Sequence, residues 1–163
     1  MSVIATFIPG YQFYRGRTLG LLDKIEQEPN PQEALGWRPG PGRAHIAWQL
    51  MHIGITEELF ATERLAPHKV GAFTELWPRF RGGSTPDDII PTVNEIRQVL
   101  SETRQHLLAT LGEYGDDRLG EIPPALAARK LTVQDVAYLL GWHEAHHQGQ
   151  AHITLNLYKA QQG

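Results

Sequence analysis

The sequence predicts an all-α protein, most simply a four-helix bundle with long inter-helix connections. Three observations lead there. Four long segments repeat apolar residues at helical spacing. Clusters of Pro and Gly separate them. Strand signals are confined to "SVIATFI" and "LTV", which are too short to build a sheet.

The first segment, about 11–28, places Tyr14, Leu21 (or Leu22) and Ile25 near one face and ends at Pro29-Asn30-Pro31. No regular element can continue through "WRPGPGR" at 37–43. The second segment, about 43–65, reads "RAHIAWQLMHIGITEELFATERL" and is closed by Pro67. Residues 66–85 are irregular, with a short turn expected near "TELW" and a helix-start signal in "GGSTP". The third segment starts at Asp87 or Pro91 and reaches Leu111, where "GEYGDD" stops it. A looping link, "RLGEIPPALAARK", leads to the fourth. Thr132 and Asp135 form a capping-box pair there, with Leu131 and Val136 at the staple positions, and the helix runs to about Tyr158. The links 29–42 and 66–86 leave room for a non-trivial connection order.

At 163 residues the chain is read as one domain, 1–163. The net charge is −3 and the 15 Lys and Arg residues are scattered, so no nucleic-acid surface is expected. There are no cysteines, which removes disulfides, thiolate ligands and a Cys nucleophile and fits a reducing cytoplasm. The start "MSVIATFIPGYQFYRG" is not a signal peptide, and no apolar run nears the ~20 residues that span a bilayer. The expectation is a cytoplasmic protein without membrane contact.

Four of the eight histidines lie between 143 and 152, in "HEAHHQGQAH". His143 and His147 are one helical turn apart on the stripe Val136, Leu140, His143, His147, Ala151, Thr154, Tyr158, which is mostly apolar or small and should face inward. Two inward imidazoles a turn apart can grip one ion. His52, on the stripe His45, Trp48, His52, Ile55, Leu59, offers a third ligand if the second and fourth helices are neighbours. Three neutral nitrogen ligands without thiolate suit Zn, Ni, Fe or Mn, with an open position left over. The competing reading is that each is a hydrogen-bonded core histidine. His146 falls on the next stripe and could pair with Gln150; His152 is read as peripheral, and His68 and His106 as solvated. His45, Gln150 and Tyr158 could line a pocket mouth. Glu144 is expected on an exposed face. Glu57 or Glu58 could support a ligand or lie on a solvated face with Arg64.

"WQLMHIG" at 48–54, followed about 90 residues later by "HEAHHQGQ" at 143–150, resembles the DinB/YfiT-like superfamily, bacterial four-helix bundles named for DNA-damage-inducible proteins. "STPDDIIPTVNEIRQVLSETRQHLLATL" and "LTVQDVAYLLGWHEAHH" extend the likeness over most of the chain. The resemblance implies one divalent metal ion held by His52, His143 and His147, with His146 outside the triad, and a homodimer. Relatives include S-transferases using bacillithiol or mycothiol, a mycothiol-dependent isomerase, and a related iron-holding domain of sulfoxide-forming enzymes. Many have no assigned activity, so membership speaks for the metal more than for the reaction.

The leading expectation is a metal-dependent enzyme, a thiol-dependent S-transferase or a hydrolase, with the ion as Lewis acid. Any thiol must come from a low-molecular-weight cosubstrate, since the chain has no cysteine. No G-x-S-x-G elbow occurs. The alternatives are a non-catalytic metal- or small-ligand-binding stress-response protein, and a bundle whose histidines are polar core residues without metal.

Overall fold

The computed structural model describes residues 2–163 and is helical as expected, with no strand among the described residues. In chain order the helices are α1 (Val3–Glu26), α2 (Pro31–Gly36), α3 (Ile46–Leu59), α4 (Trp77–Phe80), α5 (Val93–Gly112) and α6 (Val133–Gln162). A π-helical segment, Phe60–Arg64, continues α3, and 3₁₀ turns occur at Thr74–Leu76, Asp116–Arg118 and Pro124–Arg129.

Helix α1 begins well before the expected start. Ser2 caps it by accepting from the Ala5 N–H at 3.3 Å, and Pro9 lies inside it. A proline there removes one backbone bond, and burial of Ile4 and Tyr11 on either side offsets the loss. Helix α2 uses part of the first link, with Pro31 in its opening turn and Asn30 as N-cap. Helix α5 starts later than Pro91, because Thr92 and Glu95 form a capping box there. "GGSTP" is loop. The Thr132–Asp135 capping box opens α6 as expected, and the turn near "TELW" is the 3₁₀ piece leading into α4.

The four long helices pack in the cyclic order α1–α6–α3–α5. Cross-links fix their directions. Tyr11 bonds the Ala137 carbonyl and Lys159 reaches Glu28, so α1 and α6 run parallel. Helices α3 and α5 run parallel as well: the Cβ that Gly54 lacks would come 2.7 Å from Val99, and Thr110 bonds the Ala61 carbonyl. Glycine at 54 is what lets these two backbones approach. The links α1–α3 and α5–α6 therefore cross diagonals of the bundle, which is a non-trivial connection order.

The core is divided. One apolar cluster holds Leu22, Ile25, Met51, Ile55, Leu100 and Leu155; the other holds Ile4, Phe60, Leu107, Leu111, Val136 and Leu140. Between them lies a layer of four charges, one from each long helix: Arg15, Glu57, Arg104 and Glu144. Arg15 holds both Glu57 oxygens at 3.0 Å and Glu144 at 2.7 Å, and Arg104 bonds both acids. The remaining capacity is taken by the Leu100 and Tyr11 carbonyls and the Thr18 hydroxyl. The two acids are each about 1% exposed or less. Glu144 is thus not on an exposed face, contrary to the sequence reading, and of the two readings of Glu57 and Glu58 the solvated face is excluded, since both are buried. Glu58 accepts from the Ala72 and Phe73 N–H groups and from Trp77 Nε1, tying the 66–80 segment over α3.

Removing one member of a buried ion network leaves an uncompensated buried charge, which costs about 3–5 kcal/mol. Glu144→Gln should therefore lower the urea midpoint strongly with little change in slope. Glu121→Gln, in an exposed pair with Arg118, should leave the midpoint where it is. Equal midpoints for Glu144→Gln and wild type would show that the layer does not hold the bundle together.

Candidate metal centre

Helix α3 is buried along its whole length, covered by α5, α6 and the α4 segment. His45 caps its N-terminus: Nδ1 accepts the Trp48 N–H at 3.0 Å, and Nε2 bonds the Asp87 carbonyl at 3.0 Å. It is 1% exposed, so it does not line a pocket mouth. Burial pulls its pKa down, which preserves the neutral lone pair the cap requires.

Seven residues on, His52 points at α6. Its Nδ1 lies 2.7 Å from the Phe80 carbonyl, which can only accept, so Nδ1 carries the proton and Nε2 keeps its lone pair. Trp48 stacks on the ring with centroids 4.6 Å apart and planes 13° apart. The indole is itself anchored by Nε1 donating to the Arg79 carbonyl and the Ser84 hydroxyl, both at 3.1 Å.

From α6, His143 and His147 meet this ring. His143 Nε2 is 3.1 Å from His52 Nε2, and the His147 and His52 ring centroids are 4.5 Å apart. His147 Nδ1 lies 2.5 Å from Gln49 Oε1, which orients the ring and leaves Nε2 free. One ligand atom from each of the three histidines lies within 4.8 Å of the others. The structure thus brings His52, His143 and His147 together as the sequence spacing suggests. His146 is exposed, bonded to Gln150 at 2.7 Å and stacked on Trp142, outside the cluster. His68 is exposed and His106 half-buried, and neither joins it. Tyr158 is core, packed beside Trp37.

Burial lowers the pKa of all three ligand candidates. His143 and His147 are held down at about 3, first by desolvation and then by the neighbouring imidazoles, and His52 is lowered mainly by burial. All three are therefore neutral near pH 7, the state a metal ligand needs. The facing Nε2 atoms of His52 and His143 share one lone pair and one proton, or both lone pairs face one cation. Two nitrogens bound tetrahedrally at about 2.0–2.1 Å from one ion lie roughly 3.3 Å apart, close to the spacing seen. The residues fit a divalent ion.

Gln49, Trp48 and the Phe80 carbonyl are site residues that the sequence reading missed. Gln49 and Trp48 carried a signal, being one turn before His52 on its own helix. The Phe80 carbonyl, brought in by the short helix α4, carried none.

A helical bundle with three convergent imidazoles from two adjacent helices belongs to the class that builds ligand sites inside its core. The chain is a member of the DinB superfamily, whose family model it matches over residues 11–151. No curated protein and no solved structure matches it. No helix among the described residues is long and apolar enough to cross a membrane.

In metal-free protein the depressed histidines set a pH dependence. The unfolded chain takes up protons near pH 6.5, whereas folded His143 and His147 resist until about 3. Their contribution is complete above pH 6.5 and is lost progressively as the pH falls toward 3. Urea unfolding at a series of pH values should show a steeper acid loss for wild type than for the double variant His143→Asn, His147→Asn. Parallel curves would contradict the burial of neutral rings.

Proposed function

We propose that His52, His143 and His147 hold one divalent metal ion and that the protein is a metal-dependent enzyme, a thiol-dependent S-transferase in preference to a hydrolase. The reading is carried by one observation: three neutral imidazoles converge, and two of them already have Nδ1 engaged by the Phe80 carbonyl and Gln49. Their Nε2 atoms are what remain to bind. When bound, the ion supplies Lewis-acid character at a position left open by only three protein ligands.

The chain's own residues do the positioning. Gln49 and the Phe80 carbonyl fix ring orientation, and Trp48 holds the plane of His52. No Asp or Glu joins the cluster among the described residues, and Glu57 and Glu144 are held by two arginines. No carboxylate therefore sits among the candidate ligands. This supports thiol chemistry, because a thiol with a pKa of about 8.5 needs far less help to lose its proton than water at about 15.7. The thiol comes from a small cosubstrate, since the chain has no cysteine. Zn, Ni, Fe and Mn all suit the donor set. The reading includes a homodimer, for which exposed Ile153 and Leu157 on α6 offer apolar surface.

Elemental analysis of tag-free protein should find about one ion per chain, lost in His52→Ala and His147→Ala. Conjugation of a generic electrophile should then require both the ion and an added thiol. Stoichiometric metal without turnover across several thiols would make the protein a binder. No metal after reconstitution with Zn, Ni, Fe and Mn would end the proposal.

A further inference from the structure

A cleft of about 240 Å³ lies against His52 and His143. Its apolar wall includes Phe60, Leu140 and Trp142, the last 59% exposed although it is the largest side-chain type. Its polar wall carries Arg64 and Arg129, and no acid lines it.

Neither arginine is in contact with a counter-ion. Among the described residues neither makes an ion pair or a side-chain hydrogen bond, and Glu63, next to Arg64 in sequence, is engaged by Arg81 at 3.6 Å. Arg64 is half-buried, its guanidinium 4.2 Å above the Phe60 ring. Burial and then the nearby charge of Arg129 lower its pKa, and Glu63 offsets this only in part, with Arg81 adding to the lowering. A half-buried Arg64 beside a second, exposed cation at Arg129 is unfavourable unless an anion joins them. Arg64 also closes the π-helical segment that follows the histidine helix, and such turns concentrate at functional sites. The guanidinium fork matches a carboxylate with two parallel hydrogen bonds.

We infer that this cleft binds a small organic carboxylate with an apolar or aromatic body, the carboxylate at Arg64 and Arg129 and the body against Trp142 and Phe60, beside His52 and His143. The size suits a ligand smaller than drug-sized compounds, whose pockets run to about 300–1,000 Å³. As a substrate site it rests on the metal-enzyme reading above; as an anion site it does not.

Benzoate is the probe, with neutral benzamide and body-less acetate as its controls, in calorimetric titrations of the full chain with and without zinc. Benzoate should bind the metal-free wild type. Arg64→Gln and Arg129→Gln should each weaken it about tenfold or more, the loss of a charge-assisted hydrogen bond. Arg64→Lys should retain part of the affinity, and Arg17→Gln, at an exposed arginine elsewhere, should change nothing. Benzamide and acetate should bind at least about tenfold more weakly than benzoate. Equal binding of benzoate and benzamide, or arginine variants that bind like wild type, overturns the inference. Acetate equal to benzoate overturns the apolar half of it. Arginine-dependent benzoate binding in a protein that takes up no metal would leave the anion site standing and remove the metal centre. One ion per chain with arginine-independent benzoate would do the reverse.

Discussion

The buried layer of Arg15, Glu57, Arg104 and Glu144 is the constraint around which the bundle is arranged. Each long helix contributes one member, and the contacts run along two edges and both diagonals of the square. Such a network adds little net stability over a well-packed apolar layer, but it is very costly to mispair. A helix that slipped by one turn would leave two charges unpaired between two apolar clusters. The layer therefore fixes axial register and rotation together, where interchangeable aliphatic contacts would tolerate sliding.

The histidine cluster inherits its geometry from that layer. Glu144 lies directly after His143 and three residues before His147. With its carboxylate turned toward α1 and α5, the helical rotation carries both imidazoles toward α3. Glu57 sets the rotation of α3 five residues beyond His52 in the same manner. The centre is then finished by the Phe80 carbonyl from α4 and by the Trp48 indole of α3, itself tied to residues 79 and 84. Rigid helices supply the ligands, Gln49 of α3 orients His147, and the 66–86 connection orients His52.

Much of this was legible in the sequence, for local reasons. Helix identity follows from periodicity, the α6 start from Thr132 and Asp135, and the metal candidates from one-turn spacing on an apolar stripe. Less local features were hidden. The first helix was expected only from about residue 11, because the burial of Ile4 that holds its earlier turns is a tertiary fact. Glu144 read as exposed, and Glu57 as either supporting a ligand or solvated, because a glutamate is usually solvated unless paired, and their partners lie 40 to 129 residues away. The HEAHH motif thus interleaves two jobs: His143 and His147 face the site and Glu144 faces the charge layer. Arg64 and Arg129 could not be placed together at all without the fold.

The same layer bears on how the chain comes off the ribosome. Synthesis delivers Arg15, then Glu57, then Arg104, and Glu144 only in the last helix. Until α6 emerges, the three earlier members carry one excess positive charge that cannot be desolvated cheaply. The first three long helices consequently have no stable closed arrangement of their own. Closure waits for the segment that also brings His143 and His147, so the bundle and its histidine cluster come into being in one step.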